Sequence, residues 1–71
     1  MERLAQLQQV SKTRGVIIWT FWHNETDVNR SEYVASSIDA YGNTKFYEYQ
    51  NIEKMREGYD TLRGNYGYTA V

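Results

Sequence analysis

Three features predict a small α+β domain: a three-stranded antiparallel sheet, a C-terminal helix on one face and a short N-terminal helix, in the order α-β-β-β-α. A β-branched and aromatic run, Val16-Ile17-Ile18-Trp19-Thr20-Phe21-Trp22, marks a strand. The pair Gly42-Asn43 between two alternating segments marks a hairpin turn. Ile52, Met55, Tyr59 and Leu62 recur at spacings of three, four and three, one apolar helical stripe. The chain of 71 residues is read as a single domain, with 1–14 a loosely docked helix and 65–71 a tail or short extra strand.

The N-terminal helix is read over residues 2–11, where Leu4, Leu7 and Val10 fall every third position among polar residues. Three turns are marginal alone, so this helix must dock on something. Gly15 is read as its stop. In the strand 16–22, alternation sets Val16, Ile18, Thr20 and Trp22 on one face and Ile17, Trp19, Phe21 and His23 on the other. Both faces are apolar, so both need cover; one helix supplies one side, leaving the N-terminal helix, the tail or a second molecule for the other. Asn24 to Ser31 is read as a polar loop.

Glu32 to Tyr41 is the second strand, with Val34, Ser36, Ile38 and Ala40 opposed to Tyr33, Ala35, Ser37, Asp39 and Tyr41. Thr44 to Gln50 returns. A two-residue loop would place Ile38 opposite Tyr47 and Asp39 opposite Phe46. A three-residue loop would place Ile38 opposite Phe46 and Asp39 opposite Lys45, which joins like with like and opposite charges. The last helix spans Asn51 to Arg63: Asn51 caps it, Glu53 and Arg63 suit its dipole, and Gly64 stops it. Gly58 inside it costs about 1 kcal/mol against Ala, which points to close backbone packing.

Composition narrows the function classes. There is no cysteine, so disulfides and Cys-ligated zinc are excluded, and His23 alone makes a His-based metal site a poor expectation. No cofactor is expected. A net charge of −1 argues against non-specific duplex binding, which needs many cations on phosphates. No 18-residue apolar run or signal region is seen, so neither a membrane nor secretion is expected and the cytoplasm is the default. The sequons at Asn24 and Asn29 are then chance. The unusual quantity is aromatic content: seven Tyr, two Trp and two Phe. Such residues fill small cores and anchor contact surfaces.

Catalytic constellations are weak. His23 has no serine in a nucleophile-elbow pattern, and Glu53 with Glu57 lies on a mixed-charge helical face with Lys54, Arg56 and Asp60. The element order resembles that of double-stranded RNA-binding domains. That resemblance implies a basic start to the last helix, but Ile52-Glu53-Lys54-Met55-Arg56-Glu57 offsets its bases with acids, so no functional residue carries over. Phe46, Tyr47 and Tyr49 resemble a base-stacking strand interrupted by Glu48, and Lys12, Arg14, Arg30 and Lys45 could cluster.

The sequence therefore predicts a non-enzymatic binding module acting by protein–protein contact, as a homo-oligomer or as an inhibitor or adaptor of another protein. Tiny cysteine-free domains are common among phage and mobile-element accessory proteins, some of which block host defence enzymes, and such an origin would place it in a host cytoplasm. The expected anchors are Trp22, Tyr41, Tyr47, Tyr49, Tyr66 and Tyr68, with His23 and Arg30 as polar contacts. The alternative is nucleic-acid or nucleotide binding through the aromatic strand 46–49.

Overall fold

A computed structural model describes residues 1–27 and 30–71, with side chains described outside 26–31. Its elements are β1 (Glu2–Ser11), β2 (Gly15–Asp27), β3 (Arg30–Ile38), β4 (Thr44–Tyr49), α1 (Ile52–Asn65) and β5 (Thr69–Ala70). They form a five-stranded antiparallel sheet in the order β4-β3-β2-β1-β5, with α1 on one face. The fold is α+β, but the expected three strands and two helices are overturned.

The largest correction is at the N-terminus. Residues 2–11 are not a helix but β1, paired with β2 from Glu2↔His23 to Ser11↔Gly15. An irregularity between Arg3 and Ala5 brings Leu4 and Leu7 to one side three residues apart, as a helix would, whereas Val10 falls on the opposite face. Leu4 is the extra residue of this bulge and lines the helix side beside Ala5, while Leu7 points inward and Val10 outward. A helix here would leave the edge of β2 without backbone partners; a strand supplies a full ladder. Gly15 is accordingly a turn residue rather than a helix stop. Its φ of 73° suits the short β1–β2 loop, and a Cβ there would lie 2.7 Å from the Ala40 Cβ. Ser11 Oγ accepts the amides of Thr13 and Arg14 within the same turn, each at 3.3 Å.

The stretch Asn24–Ser31 departs from the loop its polarity predicts. The described part instead prolongs both strands, with pairs Asn24↔Glu32, Glu25↔Ser31 and Asp27↔Arg30; residues 28–29 lie outside the described residues. The second hairpin also differs from both expected registers. Ile38 faces Thr44 and Ser37 faces Lys45, around the loop Asp39–Asn43. Asp39 decides this: its carboxylate accepts from the amides of Tyr41 and Asn43 and from Asn43 Nδ2, at 2.9, 3.0 and 3.1 Å. The side chain thus organises a wider turn than cross-strand pairing would choose. Gly42 does take the positive φ expected of it, 82°.

α1 behaves largely as its stripe dictates. Asn51 Oδ1 accepts from the Lys54 amide at 3.0 Å, and Ile52, Met55, Tyr59 and Leu62 pack on the sheet. Gly64 does not stop the helix, which runs to Asn65; the chain reverses at Tyr66–Gly67, where the Tyr68 amide donates to the Leu62 carbonyl at 3.0 Å. The core joins Leu7, Phe21, Ala35, Met55 and Tyr68. Phe21 meets the Tyr59 ring edge-on at 5.4 Å.

Candidate functional site

Converting the N-terminal helix into a strand removes the element expected to cover the second sheet face. Register places on that face Arg3, Gln6, Gln8 and Val10 of β1, and Val16, Ile18, Thr20 and Trp22 of β2. Val34, Ser36 and Ile38 of β3 join them, with Thr44, Phe46 and Glu48 of β4. α1 lies on the other side. Exposure follows: Val10 is 76% exposed, Phe46 72%, Ile38 48% and Val16 41%. Ile18, Trp22 and Val34 are half-buried by their sheet neighbours. Isolated exposed aliphatics are ordinary; a contiguous set on one flat face marks an interaction surface.

Two side-chain donors at the centre of this face are paired within it. Gln6 Nε2 donates to Thr20 Oγ1 at 3.1 Å, and Trp22 Nε1 donates to Ser36 Oγ at 3.0 Å. The indole N–H of Trp22 can therefore be covered without being left unpaired. Ser36 is also committed as an acceptor, on a face away from His23, so these two do not form a nucleophile–base pair.

The remaining nominated residues are not gathered on this surface. His23 lies on the helix side, stacked on Tyr33 with centroids 4.7 Å apart. Its Nδ1 is 4.0 Å from Glu2 Oε2, and its Nε2 is enclosed without a hydrogen-bond partner among the described residues. Tyr41 sits in the β3–β4 turn and donates to the Thr13 carbonyl at 3.3 Å, tying the two turns at that end of the sheet. Tyr47 lies on the helix side, 5.9 Å from the Trp19 centroid. Tyr49 is pressed against α1; burial there, reinforced by Tyr47, pushes its hydroxyl pKa up. Tyr68 is core. Arg30 begins β3, and its side chain lies outside those described. Val10, Val16, Ile38 and Phe46 were not nominated as anchors; the period-two phase of each strand was the signal that could have found them.

A second feature is a cleft of about 400 Å³ between the C-terminal end of α1 and the turn end of the sheet. Trp19 and Ile17 form apolar wall, Leu62, Tyr66 and Tyr68 close the helix side, and Arg14 and Lys45 bring two cations to it. Of the basic set expected to cluster, these two do meet. Gln9 Nε2 donates to the Tyr66 carbonyl and fixes that wall. Desolvation pushes the Asp39 carboxyl up, yet the Asn43 side chain and amide, the Tyr41 amide and the Arg14 charge hold it below the usual carboxylate range. The strand 46–49 is divided between faces, Phe46 and Glu48 outward and Tyr47 and Tyr49 toward α1, so it is no continuous stacking platform.

No group of three or more His, Asp or Glu residues suited to a metal ion exists among the described residues, and none of the helices described is long and apolar enough to cross a membrane. No protein family, no curated protein and no solved structure matches the chain. With β1 a strand, the topological resemblance to double-stranded RNA-binding domains does not survive either.

Proposed function

We propose that this chain is a non-enzymatic binding module that acts by protein–protein contact through its uncovered sheet face. The observation that carries the reading is the contiguity of Val10, Val16, Ile38 and Phe46 on a face with no helix over it. The hydrogen bonds Gln6–Thr20 and Trp22–Ser36 support it, since each pairs a donor at the centre of the face within the face itself. The action is steric: an inhibitor or adaptor that lays a flat apolar surface on its partner. A photo-reactive phenylalanine analogue in place of Phe46, irradiated in the producing cell, should give discrete adducts. The same analogue in place of Glu57, an exposed position on α1, should not. Absence of adducts from position 46 would overturn the reading.

The cleft favours a second reading, a small planar anion such as a nucleotide. Trp19 offers a ring, and Arg14 and Lys45 offer two positive charges against the one carboxylate, Asp39, in the same lining. Nucleotide titration followed across a salt series separates the two. Binding lost in the Arg14→Ala and Lys45→Ala variants supports the cleft, and no binding at low salt removes it.

A further inference from the structure

We infer that the occupant of the uncovered face is a second copy of this chain, packed sheet against sheet about a two-fold axis that runs parallel to the strands between β2 and β3. The inference rests on that face being a contact surface and names its partner. Charge placement selects the geometry. Across the sheet, register sets Arg3, Trp22, Val34 and Glu48 in one row, one residue from each of β1, β2, β3 and β4. Arg3 and Glu48 are thus the same row's opposite ends, with two strands between them and without an ion pair to each other.

The proposed axis exchanges β1 with β4 and β2 with β3 while keeping each row on itself. Arg3 of one copy then faces Glu48 of the other, twice over. Trp22 faces Val34, Thr20 faces Ser36, and Ile18 faces Ile38. Beyond that row, Asn24 meets Glu32 rather than a second acid. The other in-plane axis, perpendicular to the strands, sets Arg3 over the β1 residues Gln8 and Val10 and gives neither rim charge a counter-charge, so the first geometry is favoured. Aligned sheets pack about 10 Å apart at a crossing near 30°, a gap that long Arg and Glu side chains span at the rim.

The area agrees with a modest association. Four strands about 4.8 Å apart, over about seven residues of ~3.4 Å each, give a plane of about 450 Å². Two corrugated copies together bury about 1,000 Å², the lower bound for a specific interface, which sets the pair among weak associations.

The test is native mass across a concentration series, with charge exchange as the discriminator. The wild type should move from 8.4 kDa toward twice that mass as concentration rises into the hundreds of micromolar. Glu48→Arg should weaken pairing by at least about tenfold, because it sets Arg against Arg at both rims. Arg3→Glu should do the same, and the double variant R3E/E48R should restore pairing. Both positions are exposed, and circular dichroism confirms that each variant is folded. A single-chain mass at all concentrations overturns the second copy, and so does pairing indifferent to Glu48→Arg. Adducts from position 46 to other proteins, with a single-chain mass, would leave the contact face standing while removing this occupant.

Discussion

At the residue scale, Gly58 and Tyr49 form a tight contact. A Cβ built on Gly58 would sit 2.7 Å from the Tyr49 hydroxyl and 3.2 Å from two ring carbons. Helix propensity alone would reward Gly58→Ala by about 1 kcal/mol, but overpacking of this kind costs about 1–3 kcal/mol. The expected outcome in urea unfolding is net destabilisation, partly relieved in a Tyr49→Phe background where the closest atom is gone. Asp39 gives a second residue-scale prediction. Its folded pKa is depressed, so its contribution is fully present above the unfolded value of about 3.9 and is lost as pH falls through the folded value. Stability measured between about pH 5 and pH 2 should fall less steeply in Asp39→Asn than in the wild type.

At the element scale, α1 is closed by a local signal and β1 is not. Asn51→Ala removes the acceptor for the Lys54 amide and should cost about 1 kcal/mol by urea midpoint. The cap, the stripe 52-55-59-62 and the close packing at Gly58 were legible because each is a property of a few neighbouring residues. The faces of β2 were legible for the same reason, since alternation is local. β1 was not: one bulge at Leu4 sets Leu4 and Leu7 on one side three residues apart, and only the ladder to β2 distinguishes that from a helical turn. The register at Asp39–Asn43 escaped because a side chain, not strand pairing, sets the loop. The candidate surface was half legible. Val16, Ile18, Thr20 and Trp22 were grouped on the right face, but its lack of cover follows only once the expected N-terminal helix is a strand.

At the scale of the whole molecule, a chain this short has a total stability of about 4–10 kcal/mol, held by a core of few residues. Leu7 is fully buried at its centre. Leu7→Ala should cost about 2–5 kcal/mol, enough to leave much of the chain unfolded in mild urea. Pairing through the open face would add to this by mass action, so the melting temperature should rise with protein concentration in the wild type and not in Glu48→Arg. The two indoles also divide the molecule between them. Trp19 lies under the helix side near Tyr47, and Trp22 lies on the opposite face of the same strand, donating to Ser36. One strand therefore carries two fluorophores facing away from each other. With Trp22 replaced by Phe, emission follows helix docking alone; with Trp19 replaced by Phe, the surviving spectrum shifts to the blue only when something dries the bare side.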